Sequence, residues 1–268
     1  MILPALIDAS TLHQHLPDDR LLIVDLCSDD NYRAGHIPGA VHIPPARLGC
    51  GQPPAPGKLP AIESLTAMLE HIGLDSRRHV VAYDDAGGSW AGRLIWTLAL
   101  LGFDNASLLD GGRNAWLAAG LPLSDQTPVI QPSQLQLAIN PVWLADKQEI
   151  LHNLDNPDYC IWDARSAGEY RGENVQAARG GHIPGAIHLE WTELMDEQQR
   201  LLPVEQLQSM LDKAGLTRDK TITTHCQTHR RSGLTWFVAR KLLGYPAIKA
   251  YPGSWSEWGN CDDTPIET

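Results

Sequence analysis

The residues with the clearest capacity for chemistry stand in TTHCQTHRRSGLTW, Thr223 to Trp236. One cysteine, Cys226, precedes Gln227, Thr228, His229, Arg230 and Arg231. A thiolate is the reactive form of cysteine, and cations with inward-facing backbone N–H groups lower its pKa from about 8.5. Cysteine is also among the residues most often buried for packing alone. That reading leaves three basic side chains in succession unexplained, whereas a thiolate in an anion cradle explains them. Cys226 is therefore the candidate nucleophile, and Gln227 to Arg231 the candidate substrate-binding residues.

The surroundings strengthen this choice. The formal net charge is −11, so the run of His225, His229, Arg230 and Arg231 is a local inversion of sign. Such a balance disfavours nucleic acid as a partner. Cys27, Cys50, Cys160 and Cys261 lack comparable neighbours and read as structural or incidental. Five scattered cysteines without a Cys-x-x-Cys pair give neither a disulfide framework nor a zinc site. The histidines form no array on one helical face, so no metal is expected; no organic cofactor is expected either.

The elements that must hold this loop occur twice. Gly35-His36-Ile37-Pro38-Gly39-Ala40 returns as Gly181-His182-Ile183-Pro184-Gly185-Ala186, and LLIVDLCSDDNYR from Leu21 returns as YCIWDARSAGEYR from Tyr159. The second copy carries eight extra residues between these two landmarks. Val80 to Phe103 parallels Thr221 to Tyr245, and DGGRNAW parallels YPGSWSEW. Four landmarks in one order mean a duplicated domain.

Short apolar strands alternating with helical patterns predict an α/β protein, with a parallel sheet flanked by helices in each copy. The Pro- and Gln-rich stretch from Leu121 to Pro141 reads as a linker lying over a surface. The expected boundaries are 1–124 and 143–268, with the linker at 125–142. His36 and His182 read as donors that stabilise a tight turn, since both copies have them and only one has the cysteine.

Thr221 to His225 is the predicted strand and Ser232 to Leu243 the predicted helix, with Cys226 to Arg231 joining them. Ligands bind at such strand-to-helix turns in open α/β sheets, where backbone N–H groups and a helix N-terminus favour anions. His-Cys-x4-Arg-Ser-Gly is one residue shorter than the His-Cys-x5-Arg loop of cysteine-dependent phosphatases. The smaller loop suits a cysteine carrying one extra sulfur, a persulfide, better than a phosphoryl group. A phosphatase or arsenate reductase is disfavoured on that count, and no carboxylate is marked as a general acid.

From about Leu6 onward the chain resembles the two-domain rhodaneses, thiosulfate sulfurtransferases built from tandem rhodanese-like domains. The resemblance rests on Tyr32 to Ala40, on GGHIPGAIHL, on the Cys226 loop and on Tyr251 to Trp258. It implies a catalytic second domain and a first domain that has lost its nucleophile; aligning the copies sets Asp85 at the cysteine position. The implied reaction is a double displacement through a Cys226 persulfide, from a small anionic donor such as thiosulfate to a thiophilic acceptor such as cyanide or a small or protein thiol. The resemblance also implies that Arg93, from the first domain, reaches the site. Trp191 is read either as lining the pocket or as plain core.

Animal rhodaneses read Cys-Arg-Lys-Gly-Val-Thr in this loop and mercaptopyruvate sulfurtransferases Cys-Gly-Ser-Gly-Val-Thr. The CQTHRR loop here is of a bacterial-looking type, bulkier and more basic than the latter, which favours a small dianion over an α-keto acid. The alternatives are a 3-mercaptopyruvate sulfurtransferase and a persulfide carrier that delivers sulfur to an acceptor protein. The longest apolar run, Leu94 to Phe103, is about half of a membrane span. MILPALIDAS lacks the basic start of a secretory signal. A cytoplasmic monomer is expected, without nucleic acid or membrane partners.

Overall fold

The computed structural model describes residues 3–16 and 18–268. Met1 and Ile2, which open the N-terminal stretch read above, lie outside the described residues. Two compact units emerge. The first comprises the described residues up to Leu48, then Pro60–Asn140 and Asp196–Leu201; the second comprises Gly49–Leu59, Pro141–Met195 and Leu202–Thr268.

In the first unit the chain runs β1 (Leu6–Ile7), α1 (Ala9–His15), β2 (Leu21–Asp25), α2 (Asp29–Ala34) and β3 (Val41–His42). It continues through α3 (Ile62–His71), β4 (His79–Tyr83), α4 (Ser89–Leu100), β5 (Ala106–Leu109) and α5 (Gly112–Ala118). The five strands are parallel in the order β1-β5-β4-β2-β3. Every residue of β2 and β4 is buried, as a parallel sheet covered on both faces demands.

The second unit begins with α6 (Lys147–His152), β6 (Tyr159–Asp163), α7 (Ala167–Tyr170), β7 (Ile187–His188) and α8 (Val204–Ala214). It ends with β8 (Thr221–His225), α9 (Arg231–Phe237), β9 (Ile248–Ala250) and α10 (Ser254–Trp258). Its four parallel strands follow the order β7-β6-β8-β9, the same arrangement without a partner for β1. A single parallel bridge from Leu144 to Ala250 stands in that place.

Central β8 is rich in threonine, yet the hydroxyls are paired: Thr224 Oγ1 meets Thr235 Oγ1 at 2.6 Å and Thr223 Oγ1 meets the Tyr159 hydroxyl at 2.5 Å. Buried hydroxyls left alone would cost stability, so the pairing is what allows these residues in a central strand. The predicted helix after the loop begins one residue early, at Arg231. Its last turn, Val238–Leu242, widens into a π-helix, with Leu243 N donating to Val238 O.

The repeated turns behave alike. His36 stacks on Tyr32 and His182 on Tyr170, with Nδ1 on the carbonyl of that same tyrosine in each case. Both imidazoles therefore brace the turn. The Pro-rich stretch lies along the first unit, where Glu70 accepts from Leu135 N through its side chain and from Ser133 N through its carbonyl.

Candidate active site

The carboxyl end of β8 delivers Cys226, which is 1% exposed. The Ser232 hydroxyl donates to its sulfur at 3.5 Å, and His229 Nδ1 lies 2.7 Å from that same hydroxyl oxygen. A hydroxyl that gives its proton to sulfur must accept from His229, which sets the imidazole proton on Nδ1. Burial opposes ionisation of Cys226. The Arg231 charge, the Ser232 hydroxyl and amide, and the Thr228 amide outweigh it and hold the thiol below its ordinary pKa.

The loop's path has a conformational cost. His229 adopts φ +55°, in the left-handed region, and is fully buried. Trp255 N and Ser256 N donate to the carbonyls of Cys226 and Gln227, fixing the loop from α10. Cys226 N donates to Ser254 Oγ. Residues Gly49–Leu59 close the loop from the other side. A Cβ on Gly57 would lie 2.2 Å from the Thr228 carbonyl oxygen and 2.7 Å from that of Pro252, so only glycine permits this approach. Lys58 of the same segment pairs with Glu257.

Arg231 is held in a fork: Nη1 and Nη2 donate to Glu169 Oε2 and Oε1 at 2.7 and 2.8 Å. Burial alone would raise the Glu169 pKa, but the guanidinium holds it below the usual carboxylate range. Beneath the loop, Arg165 clamps buried Asp163 through Nε and Nη2, stacks over Trp255 at 4.2 Å and donates to Gly181 O. Burial keeps His225, 3.6 Å from Asp163, below its ordinary pKa.

The strand registers locate the corresponding loop of the first unit. Asp25 pairs with Tyr83, and Asp163 pairs with His225. The residue after Tyr83 is Asp84, which therefore matches Cys226. Arg113 N donates to Asp84 O just as Trp255 N donates to Cys226 O. The expected placement of Asp85 at the cysteine position is thus corrected by one residue, because His79, not Val80, is the strand residue that matches Thr221. Asp85 instead turns outward and accepts from Asn31 Nδ2 and Ser28 N.

Among the expected site residues, the second unit brings together Cys226, Gln227, Thr228, His229, Arg230 and Arg231. Gln227 Nε2 donates to Gln176 O, which ties the loop to the eight-residue insertion. Trp191 is half-buried, its backbone N–H donating to Ala164 O. Arg93 lies in the first unit, 1% exposed on α4, with Nη2 donating to Leu48 O and the guanidinium 4.7 Å over Trp96. No group of three or more potential metal ligands occurs among the described residues.

The Rhodanese-like domain family matches residues 8–119 and again 146–261. The chain belongs to the rhodanese family. It is 46% identical to a thiosulfate sulfurtransferase of Azotobacter vinelandii, across 99% of this chain and 97% of that one. A Pseudomonas aeruginosa thiosulfate sulfurtransferase is 44% identical with the same coverage. A solved structure of an anaerobic ergothioneine biosynthesis enzyme from Chlorobium limicola, with trimethyl histidine, superposes with a TM-score of 0.87 at 25% identity. It covers 98% of this chain and 70% of that one.

Within this rhodanese fold, sequence reasoning missed Glu169, Gly57 and the hydroxyl of Ser232 as parts of the site. Glu169 had a legible signal: Ser166-x-x-Glu169 is a capping box, and both of its hydrogen bonds form. Ser232 stood in the Ser-Gly step after Arg231. Gly57 had no signal, because its role depends on a contact far away in sequence.

Proposed function

We propose that this chain is a thiosulfate sulfurtransferase that works by double displacement at Cys226. The observation that carries the reading is a buried sulfur ringed by the Ser232 hydroxyl, the Thr228 and Ser232 amides and the Arg231 charge. These groups favour the thiolate and would equally stabilise a persulfide anion at the same place.

In the first step the Cys226 thiolate attacks the outer sulfur of thiosulfate. A new S–S bond forms as the old one breaks, and its electron pair leaves with sulfite. In the second step a thiophile such as cyanide attacks the terminal sulfur, giving thiocyanate and restoring the thiolate. No oxidant, reductant or metal enters this balance. Gln227, Thr228, His229, Arg230 and Arg231 are assigned to the binding of the anionic donor, with Trp191 lining the pocket. Charge and loop size favour thiosulfate over an α-keto acid. Five free cysteines fit a reducing cytoplasm, where we place the chain as a monomer.

Intact-protein mass spectrometry after thiosulfate treatment tests the reading. The expected result is a gain of one sulfur atom, lost on addition of cyanide and absent in Cys226→Ala. That variant should also lose steady-state transfer by about three orders of magnitude or more. Unchanged sulfur loading in Cys226→Ala overturns the assignment, as does a clear preference for mercaptopyruvate as donor.

A further inference from the structure

We infer that Glu169 is a positioning residue for the reaction, holding the Arg231 guanidinium against Cys226 through a two-point fork. This rests on the reading of Cys226 as the working thiolate, although its test does not require sulfur transfer.

The geometry is specific. Glu169 is 9% exposed, and its two oxygens each take one terminal nitrogen of Arg231. Oε2 also accepts from Ser166 N at 3.1 Å and from Ser166 Oγ at 2.9 Å, so the carboxylate is itself fixed to the start of α7. A planar guanidinium seated on both oxygens of an immobile carboxylate has one orientation. Released from that grip, the long arginine side chain regains its rotamer freedom and is drawn to solvent.

The first unit provides the contrast. By the same register Asn31 stands where Glu169 stands, and Ser89, the first residue of α4, stands where Arg231 opens α9. Among the described residues this fork belongs to the unit whose central strand ends on a cysteine, Cys226, and not to the one whose strand ends on Asp84. The other charged and titratable groups packed around this loop are His229 and Arg230 within it, His225 at the end of β8, Asp163 and Arg165 from β6 and the turn after it, and the Glu257–Lys58 pair. Arg231 faces the sulfur while gripping a carboxylate.

Two roles for Glu169 predict opposite signs. A mere counter-charge depresses the field at sulfur, so removing it lowers the Cys226 midpoint whatever replaces it. A positioning residue raises the midpoint when truncated, because the arginine leaves, whereas a neutral isostere that still accepts one N–H does not. The experiment is the pH profile of Cys226 alkylation by iodoacetamide in the full chain, with Cys226→Ala subtracting the other thiols.

For Glu169→Ala the midpoint should rise by about one pH unit, with alkylation at pH 7 slowed up to about tenfold. For Glu169→Gln it should stay or fall. Arg231→Lys, which keeps the charge but cannot take both oxygens, should shift upward like Glu169→Ala and carries the test if truncation prevents folding. An unchanged profile in Arg231→Lys, or downward shifts in both Glu169 variants, overturns the inference. Sulfur gain on Cys226, read separately by mass, distinguishes that failure from failure of the proposed activity.

Discussion

The loops after β4 and β8 follow the same strand register and both turn backbone amides inward, but they hold different anions. In the first, Asp84 turns its own carboxylate into the loop and accepts from the N–H groups of Ala86, Gly88, Trp90 and Ala91, at 2.7 to 2.9 Å. In the second, the amides of Thr228 and Ser232, which occupy the Ala86 and Trp90 positions, act on the sulfur of Cys226. One loop is satisfied permanently by its own side chain. The other holds a group whose charge comes and goes, and must recruit Arg231 and Ser232 to favour the charged form. The left-handed position of the turn shows the same divergence: Gly87 fills it without strain, whereas His229 fills it under strain and supports Ser232.

The largest effect that would break this comparison is expected at Asp84. Asp84→Ala removes the acceptor of four backbone donors and should lower stability by about 3 kcal/mol, while sulfur loading of the folded fraction is unchanged. Denaturant titration with mass spectrometry checks both halves; a stable variant would show that the carboxylate does not hold the loop. Gly57→Ala should cost about 1–3 kcal/mol, because its methyl meets the Thr228 carbonyl, and sulfur transfer should slow with it. Normal stability and rate together would remove Gly57 from the site.

A smaller effect separates His225 from Tyr83, which stands at the same strand end and donates its hydroxyl to Asp25. Burial lowers the folded pKa of His225, so the unfolded chain takes up the proton first. Stability is therefore lost as pH falls below about 6.5, by at most about 1.4 kcal/mol per pH unit. His225→Gln should flatten the fall in melting temperature between pH 7.5 and 5.5, and an unaltered slope contradicts the assignment. The smallest effect belongs to Asp85→Asn, within about 0.5 kcal/mol, because that side chain points away from the amides. A loss as large as that of Asp84→Ala would return Asp85 to the cysteine position.

Much of this was legible in the sequence. The duplication, the parallel α/β architecture and the Cys226 loop follow from landmarks repeated in order and from one reversal of charge. Strand β8 matched its predicted span because Thr221 to His225 is β-branched and bounded by the loop. What escaped depends on register or on distant contacts. The strand before the first loop starts at His79, a polar residue that the apolar pattern beginning at Val80 leaves out, and that one-residue offset separates Asp85 from Asp84. Nothing local in the Gly/Pro stretch around Gly57 announces that it lies against Thr228. The fork on Arg231 was hidden because Glu169 reads first as a helix cap, a role it also performs.

The filled cradle of the first unit makes a nucleophile hard to install there. A single substitution of Asp84 by cysteine would restore a sulfur, but Ser89 would still stand where Arg231 supplies charge, Asn31 where Glu169 grips it, and Trp90 where Ser232 donates its hydroxyl. Each change alone offers no activity to select, and the first of them gives up the bonds that hold the turn. Self-satisfaction of four amides thus works as a ratchet: each step back towards a nucleophile first undoes the bonds that hold the turn.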